Sequence, residues 1–341
     1  MEAHDHGLFA DAHAVILAVL PGDALDSATA AFLTNGGRAV LIGETREEYV
    51  ARAMSTDRME RETPEWLRQL TAAVHEHTGG RGIVAVDQEL PGIQRLHRLV
   101  PPLPGHSALS AMSDGEIEEA VGSVARAARA LGVTLFLSPI VDVYRAPGPT
   151  LAGRVVLADA TEVGRVGAAF IRGVQSEGIA AVAKHFPGEG LALADPHLGV
   201  VRITSGEDDL ELDLSPFHDA IAAGVAAVML GATVVELVDA SLAASVSPAV
   251  VRTLRDDLGF DGVVISDDLD MASIEAGRGL GPTVELALNA GVDLLLLPGG
   301  ERALAIAESI VAAVEEGRLS RSRIAEAAAR VRRLAAAPPP S

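Results

Sequence analysis

No cysteine occurs among the 341 residues, which removes disulfides, thiolate zinc sites, cysteine-ligated iron–sulfur clusters and cysteine nucleophiles together. Aromatic residues are scarce: one Trp, two Tyr and seven Phe amount to 3% of the chain. Stacking platforms for single-stranded nucleic acid or for long polysaccharide chains are therefore in short supply. Positive charge is limited too. Against 27 Lys and Arg stand 47 Asp and Glu, a formal net charge of −20, the wrong sign for a nucleic-acid or anionic-membrane binder. No apolar run reaches the roughly 18–20 residues that a membrane span requires. The short apolar run 14–20 has no basic segment ahead of it and does not read as a signal peptide, so a cytoplasmic location is expected.

What is present is a globular composition, 49% hydrophobic and 22% charged, long enough for one large domain or two ordinary ones. A unit recurs along it: a short β-branched or Leu-rich run, a loop, then an Ala-rich amphipathic stretch. The runs 14–20, 38–43, 82–89, 133–141, 179–184, 226–231, 262–266 and 293–297 are predicted strands. Helical patterns at 27–34, 64–77, 114–131, 160–177, 215–223, 247–258, 282–290 and 302–316 follow them, and a last helix is predicted over 322–334. Several open on capping chemistry, such as Ser113-Asp114-Gly115-Glu116 and Ser247-Pro248. The strands are apolar throughout rather than alternating, as befits parallel strands covered on both faces. Eight strands alternating with helices predict an α/β fold, a single (β/α)8 barrel occupying 1–334. An open doubly wound sheet is the alternative, but no glycine-rich dinucleotide fingerprint follows an early strand. The Pro-rich tail 335–341 is expected to be disordered.

Barrel chemistry gathers in the loops at the C-terminal ends of the strands. The third run ends in Val86-Asp87-Gln88-Glu89, with Arg95 soon after; the fourth ends in Asp142, with Arg154 in the following loop. The fifth runs into Lys184-His185-Phe186-Pro187-Gly188, then Asp195-Pro196-His197, and the seventh ends in Ser266-Asp267-Asp268. Such convergence points to an enzyme without naming its reaction. Simpler roles compete at several positions. Asp268 is expected to cap the next helix, and Asp142 and Glu89 to hold loops together. Lys184 follows an apolar strand, which argues against a snorkelling surface lysine. His4, His6 and His13 are expected in a solvated tail, and Glu207-Asp208-Asp209 as a solvated charge run near a helix start.

The segment Ala183-Lys184-His185-Phe186-Pro187-Gly188-Glu189-Gly190, followed by Asp195-Pro196-His197, resembles the long catalytic-loop motif of glycoside hydrolase family 3 β-N-acetylglucosaminidases. Leu258-Gly259-Phe260-Asp261-Gly262-Val263-Val264-Ile265-Ser266-Asp267-Asp268-Leu269 is similar to that family's nucleophile strand, and Val86-Asp87-Gln88-Glu89 with Gln94-Arg95 to its first sugar-binding loop. The resemblance implies a retaining, exo-acting enzyme that takes terminal N-acetylglucosamine from peptidoglycan or chitin fragments. It makes Asp267 the nucleophile, His197 the general acid/base and Asp195 its dyad partner. It makes Asp87, Arg95, Arg154, Lys184 and His185 sugar contacts. No cofactor and no metal are implied; the partner is a small amino-sugar glycoside, and the chain is expected to be a monomer or a weak homo-oligomer. Residues 188–199, with their glycines, are expected to form a mobile loop over the sugar.

The chain departs from the family pattern at Leu90, Pro91 and Gly92, expected to reshape the leaving-group side of the pocket, and at Glu189, which adds a carboxylate. Pro196 stiffens the dyad, and Val155-Val156 replace a Ser-Phe pair. Other readings stay open: a phosphorylase of the same family, a sugar-binding barrel without turnover, a Schiff-base enzyme using Lys184 and a metal hydrolase using His185 and His197. Arg95, Arg154, Lys184 and His185 together predict a local cationic patch in an acidic protein.

Overall fold

The computed structural model describes residues 6–155 and 158–336. Eight parallel strands form the centre: β1 (Ile16–Val19), β2 (Ala39–Leu41), β3 (Ile83–Val86), β4 (Leu135–Phe136), β5 (Ala180–Phe186), β6 (Ala227–Leu230), β7 (Val263–Ile265) and β8 (Leu295–Pro298). Each lies within or across a predicted run. Their hydrogen-bonded order is β8-β1-β2-β3-β4-β5-β6-β7. At the remaining seam, Ile265 bridges Leu294, and the Ser266 N–H donates to the Leu294 carbonyl, so the sheet curls into a barrel.

Alternation of side chains explains why the strands are apolar on every residue. Leu17, Leu41, Ile83, Val182, Met229 and Ile265 point inward and fill the barrel. Their neighbours Ile16, Val40, Val84, Ala183, Val228 and Val264 pack outward against the helices. Both faces are thus buried, and no position is left for a polar partner of the alternation.

The surrounding helices are α1 (His6–Ala14), α2 (Ser27–Thr34), α3 (Pro64–His77), α4 (Asp114–Arg129), α5 (Ala160–Ser176), α6 (Glu207–Ala222), α7 (Pro248–Arg252), α8 (Leu280–Ala290), α9 (Glu301–Glu315) and α10 (Arg321–Ala336). Local chemistry sets their starts. Thr63 accepts from the Trp66 N–H ahead of Pro64 in α3, and Ser113 with Glu116 forms a full capping box on α4. No described helix is long and apolar enough to cross a membrane.

Three expectations need correction. Helix α6 begins at Glu207 rather than 215, so the acidic run is its first turn, where negative charge suits the helix dipole. His13 is not in a solvated tail: it is buried in α1, its Nδ1 bonded to the Phe9 carbonyl and its ring against Phe9 and Phe32. His4 lies outside the described residues. Helix α10 continues through Ala336, so 335 does not start the tail; 337–341 lie outside the described residues. A small parallel ribbon of Arg202–Ile203 with Val234–Val235, absent from the predicted elements, ties the loop after β5 to the loop after β6.

Candidate active site

A cavity of about 280 Å³ opens at the C-terminal ends of the strands. That is at or just below the small end of ligand sites, roughly 300–1,000 Å³. A larger cavity, about 820 Å³, lies at the opposite end of the barrel beside Gly82, Leu135, Ala180 and the end of α10. Among the described residues no carboxylate lines it. The candidate groups from the sequence gather at the smaller one.

Asp267 follows β7 into this cavity. Its backbone N–H donates to Ser245 Oγ at 2.9 Å, and that hydroxyl in turn donates to the Gly231 carbonyl at 2.9 Å. The strand end is thereby fixed against the neighbouring strand's loop. Asp267 Oδ1 also accepts from the Asp268 N–H at 2.8 Å. Facing the cavity from the loop after β5 is His197, whose Nδ1 lies 2.8 Å from Asp195 Oδ1 while its backbone N–H donates to the same oxygen at 3.0 Å. Arg46 Nη2 holds the second oxygen of Asp195 at 2.6 Å. Burial alone would push the Asp195 carboxyl up, but the His197 hydrogen bonds, with that from Arg46, hold it below the usual carboxylate range. An ionised Asp195 on Nδ1 leaves Nε2 as the ring nitrogen available to a ligand. The Tyr49 ring lies 5.4 Å from the His197 ring, and the Ser273 N–H donates to the Pro196 carbonyl at 3.0 Å, which ties this loop to the one after β7.

Beneath the cavity the charges are paired. Lys184 Nζ sits 2.6 Å from Asp87 Oδ1 and 2.9 Å from Glu89 Oε1, and Arg154 grips Glu89 with Nη2 at 2.6 Å and Nε at 3.0 Å. Burial opposes the Lys184 charge, yet Asp87 and Glu89 outweigh it and hold the ammonium firmly protonated. Asp142 accepts from the His185 ring at 2.8 Å, from the His185 N–H at 3.2 Å and from the Glu189 N–H at 2.7 Å. Burial lowers the His185 imidazole, but Asp142, with Glu189 and Asp267 nearby, raises it on balance. Glu89 and Asp142, almost wholly buried, thus bind loops to one another as anticipated.

Glu189, the added carboxylate, accepts from the Ala232 N–H at 2.7 Å and the Thr233 N–H at 2.9 Å. Burial pushes it up to about 7, against the pull of His185, with Asp142 and Asp267 adding to the rise. Gly231 is required beside it, because a β-carbon there would come within 2.6 Å of a Glu189 carboxyl oxygen.

Asp267, His197, Asp87, Arg154, Lys184 and His185 all line the cavity, and Asp195 supports His197 from behind. Arg95 does not line it. Its guanidinium is buried and each of its three nitrogens has a partner, with Nη1 and Nη2 on Glu62 at 2.8 and 2.7 Å and Nε on the Gly43 carbonyl at 2.9 Å. It joins the loops after β2 and β3 and stands outside the cavity lining. Leu90, Pro91 and Gly92 are also absent from the lining; Leu90 is buried in the core, and Gly92, at φ +119°, packs against Glu89 and Arg154. Asp268 caps no helix: the short helix Ala272–Glu275 that follows takes no side-chain cap, and Asp268 lines the cavity instead. Burial, with Asp270 and Asp267 nearby, pushes its carboxyl well above the usual range.

The predicted cationic patch is not found. Glu44, Asp87, Glu189, Asp267 and Asp268 line the cavity along with Arg46, Arg154 and Lys184, and the two central cations are neutralised by Asp87 and Glu89. Val155 is buried with Ile140 and Leu151, and Val156 lies outside the described residues. Residues that the sequence reading missed come mainly from the loop after β2: Glu44, Thr45, Arg46 and Tyr49. A signal existed, since Thr45-Arg46-Glu47-Glu48 is a capping-box pattern and indeed caps the helix Arg46–Ala51. Tyr49, one of two tyrosines, accepts from Arg154 Nη1 at 3.0 Å.

Known proteins share sequence and fold with this chain. The chain is 34% identical over 240 residues to the β-hexosaminidase of Stenotrophomonas maltophilia (strain K279a), spanning 68% of this chain and 71% of that protein. It is 33% identical over 243 residues to the β-hexosaminidase of Thiobacillus denitrificans, spanning 69% and 67%. Among solved structures, the family 3 β-N-acetylglucosaminidase from Paenibacillus sp. str. FPU-7 superposes with a TM-score of 0.86 at 29% identity, over 97% of this chain and 63% of that one. The β-N-acetylhexosaminidase from Beutenbergia cavernae superposes with a TM-score of 0.83 at 25% identity, over 98% and 100%. The family model described as the glycosyl hydrolase family 3 N terminal domain matches residues 39–334. An eight-stranded parallel barrel, its acid and base groups gathered at the strand ends, and these matches place the chain in glycosyl hydrolase family 3.

Proposed function

We propose that the protein is a retaining, exo-acting β-N-acetylglucosaminidase that removes terminal N-acetylglucosamine from peptidoglycan or chitin fragments. The observation that carries the reading is the meeting of Asp267 with the Asp195–His197 pair in one small cavity. In the first step an Asp267 carboxylate oxygen bonds to the anomeric carbon as the glycosidic bond breaks. His197, protonated, gives its Nε2 proton to the departing oxygen. Asp195 stabilises the imidazolium before that transfer and fixes the tautomer after it. In the second step the neutral His197 takes a proton from water, the water oxygen bonds to the anomeric carbon, and Asp267 leaves with the original configuration restored.

Asp87, Lys184, Arg154 and His185 present charged hydrogen-bonding groups for sugar hydroxyls. The small volume favours one terminal sugar, and the names of the relatives support an N-acetylhexosamine. Lys184 is a poor Schiff-base candidate, because two carboxylates hold its amine protonated.

The test is a panel of p-nitrophenyl β-glycosides, N-acetylglucosaminide against glucoside, xyloside and N-acetylgalactosaminide, with and without phosphate. Highest turnover is expected on the N-acetylglucosaminide, falling roughly 10³-fold or more in Asp267→Ala. Undiminished turnover in that variant would remove Asp267 from the reaction. Diversion of product to the sugar 1-phosphate would reassign the protein as a phosphorylase, and tight sugar binding without turnover as a sugar-binding barrel.

A further inference from the structure

Glu44 has a place in the cavity and no place in the reaction above. It follows β2, two residues after Ile42, and lines the cavity beside Asp87, Glu89 and Lys184. Every neighbouring carboxylate is occupied: Asp87 by Lys184, Glu89 by Lys184, Arg154 and the Ile93 N–H. Glu44 differs: its carboxyl is met by its own backbone N–H, while its Oε2 is buried with no hydrogen-bond partner among the described residues. Buried polar atoms are nearly always satisfied, and one left open at a cavity wall is a place where a ligand atom completes the set. A metal ion or other cation is the less fitting occupant, because the Lys184 ammonium already sits between Asp87 and Glu89.

The barrel order says which part of a ligand would arrive there. In the ring β8-β1-β2-β3-β4-β5-β6-β7, strand β3 stands opposite β7, and β2 is next to it. Asp267 ends β7, whereas Asp87 and Glu44 follow β3 and β2. A sugar whose anomeric carbon meets Asp267 therefore directs its far edge towards Asp87 and Glu44.

We propose that Glu44 is a substrate contact that reads the hydroxyl edge of the terminal pyranose remote from the anomeric carbon, the 4-hydroxyl or the 6-hydroxymethyl group. The inference rests on the assignment of Asp267 as the group that meets the anomeric carbon. A hydroxyl is the matching chemistry, since it can donate to a carboxylate and accept from a carboxylic acid. Burial, with Asp87 and Glu89 close by, pushes Glu44 up to about 8, so that at neutral pH it offers both an O–H donor and an acceptor oxygen.

The experiment crosses Glu44 variants with deoxy sugars. Kinetics are measured on p-nitrophenyl β-N-acetylglucosaminide and its 4-deoxy and 6-deoxy forms with the wild type, Glu44→Ala and Glu44→Gln. Binding of N-acetylglucosamine and the same deoxy sugars is measured by calorimetry. The wild type is expected to lose roughly tenfold or more in kcat/KM, and a similar factor in binding, on one of the two deoxy forms. Glu44→Ala should lose a comparable factor on the parent sugar and less than about threefold on that deoxy form, while Glu44→Gln recovers most of the loss. Equal losses by Glu44→Ala on all three sugars, or a wild type indifferent to both deoxy changes, would overturn the proposal. Deoxy-sensitive binding without turnover would fail the hydrolase reading and leave the Glu44 contact standing; no sugar binding at all would remove both.

Discussion

Glu189 shows how one residue can be present in the motif and still have its role decided elsewhere. In the sequence it is an acidic substitution within a catalytic-loop pattern. In the fold its carboxyl binds the Ala232 and Thr233 amides and joins the loops after β5 and β6. Because burial raises it to about 7, the folded protein holds this proton over a range in which an unfolded chain, ordinary near 4.5, has released it. Its contribution to stability is therefore full below about pH 4.5 and is lost as pH rises through about 7. In Glu189→Gln, whose amide oxygen can still accept from both N–H groups, that loss disappears. Thermal melts at stepped pH should show the variant gaining on the wild type between about pH 4.5 and 7; a constant difference would mean that Glu189 does not titrate in this window. Arg95 gives the converse lesson. Its place in a sugar-binding pattern was legible, but its partner Glu62 lies 33 residues away in the chain, on another loop. No local pattern reports such a pairing.

At the scale of elements, the short helix Arg46–Ala51 deserves the most weight, for it carries Arg46 to Asp195 and Tyr49 to His197 and Arg154. Its start depends on Thr45, whose side chain accepts from the Glu48 N–H while Glu48 returns the bond to the Thr45 N–H. Glu48 is also bound by Arg58 at 2.9 Å, so the cap anchors the next helix, Thr56–Arg61. Thr45→Ala should cost about 1 kcal/mol locally. The expected readouts are faster amide exchange over 44–62 and a several-fold fall in kcat/KM, with the barrel's melting temperature shifted only slightly. Unchanged exchange in that segment would show that the cap does not hold it. Longer elements were easier to read: α2 and α3 coincide with their predicted spans because caps and apolar periodicity are both local. The loop after β2 was read only as a gap, since its two helices are too short to show a period.

For the whole molecule, a structural cluster of charges lies at the end of the barrel opposite the candidate site. At the N-terminal end Asp293, fully buried, accepts from Arg255 at 2.6 Å, from Arg323, from Arg330 at 3.3 Å and from the Val264 N–H at 3.1 Å. One carboxylate thus joins β7, the turn after α7 and the last helix α10 beside the seam that closes the ring. Asp293→Ala leaves three arginines without that carboxylate and should destabilise the fold by about 3–5 kcal/mol, read from denaturant melts. A loss below about 1 kcal/mol would show that the seam holds without it. Net charge belongs to this scale as well. A total of −20 left open where the cations gather, and the fold answers by pairing Lys184 and Arg154 with carboxylates at the cavity wall. What the sequence by itself determined was the number of barrel strands, their alternation with helices, and the strand ends and following loops where Asp87, Lys184, His185, Asp267 and the Asp195–His197 pair reside. Those follow from apolar runs, caps and short-range motifs, each a property of neighbouring residues. Only the tertiary structure decided that Arg95 is a strut, that Glu189 is a clamp, and that Glu44 and Tyr49 share the cavity. Each of those roles depends on which loops the closed barrel brings face to face, and a buried charge takes its meaning from whichever partner the fold supplies.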